Sequence, residues 1–405
     1  MTTLLSALVS ALRRHSWLRL LGYAFILSSL GNGLTQVVVF GQLLQWRASA
    51  TTLIFAYVLA TLPGFLGSLL GERLCQRYSP FAMLLLAEAL GLLSLVFPLY
   101  SLLAQHSVGL LAVQACSAVI SGVTFPALSL VFKRGLKSEE LPAATCMETL
   151  IFAAQVLLGV GVGVLIFPLI NAGGMLLLDA LSFIASAVLL LLAARRFVPT
   201  SDETEADAST SATGKVSWRA LSPLQRRSLL MLPMLATVGT PAMSLLPALA
   251  QQIKPDEATG FALPLLFARS LGQLCGPLLL PANRMRQYAG NNGLLATCLL
   301  IFLASYLLIP PMSAWTLAPL AMIFIAHIAS NVVFALATFG ILREFDAQTV
   351  ASASAMAWRW QLVAAGVASL MVAALTHYGG AILALKVMSL VGLGTAIGIL
   401  WKYRR

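Results

Sequence analysis

The feature that most constrains this chain is a succession of apolar runs, each about 20 residues long, that do not alternate apolar and polar residues as a strand would. They begin near Leu20, Thr51, Pro80, Gly109, Ala144, Gly173, Leu229, Gly260, Gly290, Trp315, Ala351 and Gly379. A helix that is apolar on every side has no aqueous face, so it belongs in a bilayer, where its backbone groups bond internally. Barrel strands alternate apolar and polar residues, which argues against a β-barrel. The expected fold is an all-α polytopic membrane protein of twelve transmembrane helices. Composition agrees: 10% of the 405 residues are charged, against about 25% in a soluble domain.

The charges that remain give orientation. With both termini inside, Arg47 and Lys254 are the only bases in the outer loops. The inner segments hold clusters such as Arg13, Arg14 and Arg19, Lys133 and Arg134, Arg195 and Arg196, and Arg404 and Arg405. This positive-inside bias predicts cytoplasmic termini in a bacterial-type inner (plasma) membrane. The amphipathic lead through Arg19 runs into the first apolar run without a small-residue cleavage site, so that run reads as an uncleaved span.

The net charge of +11 arises from these loops. No basic patch is interleaved with stacking aromatics, so nucleic acid is not an expected partner. Cys75, Cys116, Cys146, Cys275 and Cys298 form no CxxC pair and read as small buried hydrophobes. No metal site, cofactor or P-loop pattern appears, nor any convergent nucleophile and base, so neither an enzyme nor an ATP-driven machine is expected.

A polar Ser/Thr/Asp/Glu-rich stretch divides the runs six and six. The expected domains are an N-terminal bundle over 1–197, a cytoplasmic linker over 198–225 and a C-terminal bundle over 226–405. Span six opens GGMLLLDALSF and span twelve opens GGAILALKVMS; each carries one charge in its second turn and ends in a basic cluster. The match implies a duplicated half in parallel repeat. It makes Asp179 the rough counterpart of Lys386. Asp179 is open to two readings: a structural or hydrated charge, or a group that handles substrate or protons.

Twelve spans in two halves around a central loop resemble the major facilitator superfamily. Between spans two and three, GFLGSLLGERLCQRYSP resembles the Gly-x-x-x-Asp-Arg-x-x-Arg loop signature of that superfamily, with Ser68 for the first glycine, Glu72 for the aspartate, and Arg73 and Arg77 for the bases. GLKSEELPAATCMETL, LLGVGVGVLI and LLLDALSFIASAVLLLL resemble the enterobactin-exporter and small-molecule efflux branch. The resemblance implies a conformational latch in which Glu72, with Arg73 and Arg77, faces the N-terminus of span eleven, where the helix dipole favours an anion. The glycine run Gly159, Gly161 and Gly163 resembles the antiporter motif, with Val160 where proline is usual; close helix packing explains it equally.

Polar residues within the spans are the candidates for chemistry. In span one these are Asn32 and Gln36; relatives often carry an aspartate at the first position, and asparagine cannot titrate. Glu88, Asp179 and Glu148 are the candidate proton-coupling acids. Arg269 in span eight and Arg359 in span eleven fall near mid-depth, and arginine holds planar anions in a fork. Trp358 and Trp360 flank Arg359, His327 and Asn331 share one helix face, and Gln114 and Gln155 add hydrogen-bonding capacity. Each has a structural alternative, such as an internal ion pair for the arginines or a satisfied core histidine for His327.

These features together predict a monomeric secondary active transporter that exports a siderophore or related anionic, amphiphilic small molecule by proton antiport. An importer of a small metabolite or lipid, or a multidrug efflux pump, on the same fold is the alternative.

Overall fold

The computed structural model describes residues 3–200, 214–246, 249–250, 258–315 and 317–403. Most of the expected linker (201–213) and Lys254, expected in an outer loop, lie outside them. Among the described residues the regular structure is helical, apart from one isolated bridge between Thr3 and Pro281.

An amphipathic helix, Leu4–Arg14, leads into span one, Ser16–Gln45. Span two is broken into Ala50–Leu59 and Gly64–Cys75; Pro63 at the break lacks the N–H that would continue the helix. Span three is Pro80–Ser94 with Val96–Ala104, span four Val108–Gly135, and span six Ala172–Arg196. Span five runs Leu141–Ala154 and Gly161–Ile166, joined by a π-helical turn, Gln155–Val160. Spans seven to ten contain Pro223–Ser244, Ala258–Leu278, Asn292–Leu308 and Leu317–Glu344. Spans eleven and twelve lie in Val350–Lys402, broken at Gly380, whose φ of 78° suits a residue without Cβ.

The ends of these helices follow from short polar signals. Ser79 caps span three with Pro80 at the first turn, and Asn171 caps span six by accepting from Gly174 N at 2.7 Å. Ser222 and Gln225 form a reciprocal capping box on span seven. The two Gly-Gly pairs serve different ends: Gly173–Gly174 follows a cap, whereas Gly379–Gly380 makes the turn between two spans.

Contacts divide the chain into two compact units. One holds residues 8–216 with 345–359; the other holds 217–344 and 360–405 with the residues before Leu8. In the first, span one packs on spans five and six, and Leu34, Val38, Leu95, Met175, Leu176 and Phe183 form a core cluster. Span six shows how a membrane helix is sided. Leu177, Leu181, Ile184, Val188 and Leu191 are exposed along one stripe, while Asp179, Ser182 and Ser186 are buried on the other. Apolar side chains face out and polar ones in.

Each unit repeats one close helix crossing. A Cβ at Gly67 in span two would strike the Val119 carbonyl of span four, and one at Gly276 in span eight would strike the Ile328 carbonyl of span ten. Both glycines have a partner four residues away, Gly71 and Gly272, whose added Cβ would also meet the facing backbone. Second span against fourth, in each unit, is the duplication expressed as packing.

Candidate functional site

Three polar clusters interrupt the apolar packing. The first lies between spans one, three and six. Asp179 is wholly buried, so hydration does not explain it. Its Oδ2 accepts from Thr35 Oγ1 at 2.5 Å and its Oδ1 from Ser182 Oγ at 3.2 Å. Glu88, also buried, accepts from Ser28 Oγ at 3.1 Å, and Ser186 reaches toward the same carboxyl. Asn32 donates through Nδ2 to the Ser28 carbonyl at 2.9 Å and approaches Ser28 Oγ at 3.4 Å. Gly31 makes the approach possible: a Cβ there would overlap Asp179 Oδ1 and Ser182 Oγ. Beside Asn32, Gly33 meets Gly159 of the π turn backbone to backbone, and Gly163 packs on Val37. Gly159 and Gly163 are packing glycines here. Lys386, the rough counterpart of Asp179 in the repeat, is exposed on its own span.

The second cluster lies at the C-terminal end of span two and the first turns of span eleven. Arg359 Nη1 lies 2.7 Å from Glu72 Oε2, and Ser352 Oγ donates to Glu72 Oε1 at 2.5 Å. Both charged side chains are nearly buried. Ser352 also accepts from Val216 N at 3.0 Å. Trp358 stacks on Phe125 with centroids 4.9 Å apart. Glu72 thus contacts residues at the start of span eleven, while Arg73 and Arg77 are exposed and form no ion pair among the described residues. For Arg359 the internal ion pair, one of the two readings the sequence left open, is the arrangement seen. Arg359 has a carboxylate partner, which the sequence could not show because loop and helix are far apart in the chain.

The third cluster belongs to spans eight, nine and ten. Arg269 stands midway along its helix, and its Nε is sealed from solvent without a hydrogen-bond partner. No ion pair involves it among the described residues. It lies close enough to act electrostatically on Tyr306 and His327. Tyr306 Oη and His327 Nε2 are 2.9 Å apart. His327 is 1% exposed, and its carbonyl accepts from Asn331 Nδ2 at 3.3 Å. Gln273, one turn beyond Arg269, is buried with its Oε1 unpaired.

The other candidates scatter. Glu148 is buried on span five, Gln114 is buried on span four with its Nε2 unpaired, and Gln36 and Gln155 are half-buried. Trp360 packs edge-on against Trp218 at 4.9 Å. Sequence reading missed Tyr306, Ser352 and the hydroxyls around the acids. A phenol counts as apolar in a hydropathy run and serines read as filler, so only spatial pairing exposes them.

Outside the spans, Glu140 accepts from Arg14 Nη1 at 2.8 Å, pairs with His15 Nε2 at 3.1 Å, and accepts from Lys137 N at 3.3 Å. Burial acts to raise its carboxyl, but the hydrogen bonds from His15, the Lys137 backbone and Arg14 outweigh it and hold the group below the usual carboxylate range.

No family model matches the chain. It is 58% identical over 74 residues to the "Uncharacterized 29.9 kDa protein in crtE 3'region" of Pseudescherichia vulneris, a stretch covering 18% of this chain and 27% of that protein. Solved structures align over nearly the whole length. The human organic anion transporter MFSD10 (TETRAN) matches at 12% identity with a TM-score of 0.68, over 94% of this chain and 98% of that one. The E. coli fucose:proton symporter FucP matches at 14% and 0.66, over 96% and 98%. A bacterial homologue of the iron transporter ferroportin, in an outward-facing state, matches at 14% and 0.68, over 95% and 98%. The chain has the major facilitator fold: twelve transmembrane helices in two six-helix sets.

Proposed function

We propose that this protein is a secondary active transporter that exports a siderophore-like or related amphiphilic organic anion in exchange for protons, by alternating access. The observation that carries the reading is Arg269. A permanent cation midway along a membrane span costs several kcal/mol unless it is compensated, and no carboxylate pairs with it among the described residues. A substrate anion supplies that compensation during transport. Tyr306 and His327, 2.9 Å apart, and the unpaired Gln273 one turn along the helix add hydrogen-bonding groups and aromatic rings to the same cluster. The fold of a human organic anion transporter and of a proton-coupled symporter supports the class.

Within this reading Glu72, Ser352 and Arg359 form a latch, made in one access state and broken in the other. An ion pair needs a bistable contact to act as a switch, and the start of span eleven held against the end of span two is one.

The test is transport in proteoliposomes with a fluorescent catecholate siderophore analogue and its neutral methyl ether, under pH gradients of both polarities. Gradient-driven movement of the catecholate, faster than that of the ether, is expected. Equal rates for the two would sink the anionic substrate, and movement down the proton gradient in the proton's own direction would make the protein an importer.

A further inference from the structure

The acids between spans one, three and six have a property that a structural carboxylate does not need. The side-chain groups that hydrogen-bond to Glu88 and Asp179 are hydroxyls, Ser28 for the first and Thr35 and Ser182 for the second, and the hydroxyl of Ser186 lies toward Glu88. A carboxylate kept permanently charged is held by obligate donors such as arginine or backbone N–H. A hydroxyl donates to a carboxylate and accepts from a carboxylic acid by rotating about one bond. The cavity therefore accommodates either protonation state without losing a hydrogen bond.

The surroundings give no counter-charge. Spans two, four and six pack on span three, span one reaches it through Ser28, and spans five and six pack on span one. Their charged and titratable groups are Arg19 and Tyr23 on span one, and Glu72, Arg73 and Cys75 at the C-terminal end of span two. Span four adds Cys116, Lys133 and Arg134, span five Cys146 and Glu148, span six Arg195 and Arg196, and span three its own Tyr100. The bases sit in first or last helical turns; Arg195 is about 24 Å along the helix from Asp179 at 1.5 Å per residue. Asp179 is the charged group that acts on Glu88. Two carboxylates without a cation, both buried, do not carry two charges at tolerable cost.

A second observation points to an exchangeable occupant. Ser186 Oγ is wholly buried, lies toward Glu88 and makes no hydrogen bond of ordinary length. A hydroxyl so placed can donate to the Glu88 carboxylate or accept from the carboxylic acid. Ser28 connects the pair outward, since its Oγ donates to Glu88 and faces Asn32, which is only half-buried.

We infer that Glu88 and Asp179 form one proton-exchanging pair, lined by hydroxyls and reached through Ser28 beside Asn32. A proton from water at Asn32 adds to a Glu88 carboxylate oxygen through the Ser28 hydroxyl, forming one O–H bond as another breaks. Asp179 holds a proton while Glu88 is charged, so the pair cycles between one negative charge and none. Gly31 is a positioning residue, admitting Asp179 and Ser182 against span one. The inference rests on the transporter reading only for the use made of the proton.

The test needs no substrate. Infrared titration of the purified full-length protein in lipid nanodiscs reads the carbonyl stretch of protonated buried carboxyls. Wild type should show a band that vanishes as pH rises. Glu88→Gln and Asp179→Asn should each shift the midpoint of the acid left behind, and the double variant should lose the band. Ser28→Ala keeps both acids and should move the Glu88 frequency alone; Gly31→Ala should move that of Asp179. Absence of the band in wild type at every pH would overturn the pair. So would two single variants that leave each other's acid unmoved, or sodium abolishing the band at fixed pH, which marks a metal-cation site. If the band behaves as expected while the catecholate fails to move, the pair stands and the transport reading falls.

Discussion

Arg359 and Glu72 meet at 2.7 Å, with Ser352 on the other carboxylate oxygen. The pair ties the first turns of span eleven to the C-terminal end of span two. Removing one member of a nearly buried ion pair leaves its partner's charge uncompensated, at a cost of about 3–5 kcal/mol.

Glu72→Gln and Arg359→Gln should therefore loosen the start of span eleven. Ala355 is wholly buried there, between Ser352 and Arg359. Labelling of a cysteine placed at Ala355 with a thiol reagent is expected to quicken several-fold in either variant. The charge swap Glu72→Arg with Arg359→Glu should restore the slow rate in part. Unchanged labelling in both single variants would remove the latch.

The helix crossings give a second prediction. Gly67→Leu drives a side chain into the Val119 carbonyl, and overpacking of this kind costs about 1–3 kcal/mol. Its melting temperature in detergent should drop clearly. Gly394→Leu, at a position where an added Cβ meets nothing within 4 Å, should leave it unchanged. Equal melting of the two variants would mean that the close crossing does not hold the unit together.

Glu140 yields a pH dependence. Its carboxyl is held below the usual range in the folded protein, so its stabilising effect is present above the unfolded pKa. The effect is lost as pH falls through the lower, folded value. Wild type should melt above Glu140→Gln by a constant margin near neutrality, and the margin should close on acidification. A margin that widened in acid would reverse the sign of the linkage.

Most of the architecture was legible in the sequence because the bilayer imposes a length and a polarity that no other environment asks for. The helical character and the rough place of the spans follow from local pattern, whereas the reach of Glu72 toward span eleven was implied by a family resemblance. The charge partners do not. Glu72 and Arg359 lie in opposite halves of the sequence yet meet, and the repeat counterparts Asp179 and Lys386 become a buried acid and an exposed base. Hydropathy treats Tyr306 and Ser352 as neutral filler. Their weight comes from what stands about 3 Å away, within hydrogen-bond reach, and only folding decides that.

Arg269 carries the sharpest test of function. Arg359 is neutralised, so the case for an anionic substrate narrows to a single cation, with Tyr306 and His327 beside it. Arg269→Gln keeps hydrogen bonding but removes the charge. It should weaken binding of the catecholate analogue about tenfold, near 1.4 kcal/mol, and leave its methyl ether almost unaffected. Arg269→Lys restores charge without the planar fork, so partial recovery is expected. Tyr306→Phe serves as the control for mere disturbance of the cluster: it removes the phenol 2.9 Å from His327 and should affect both ligands alike. Calorimetry on purified wild type and the three variants, each checked for a single monodisperse species, measures all four affinities. If Arg269→Gln lowers affinity for the charged and neutral ligands equally, Arg269 supports packing, and the anion reading fails with it.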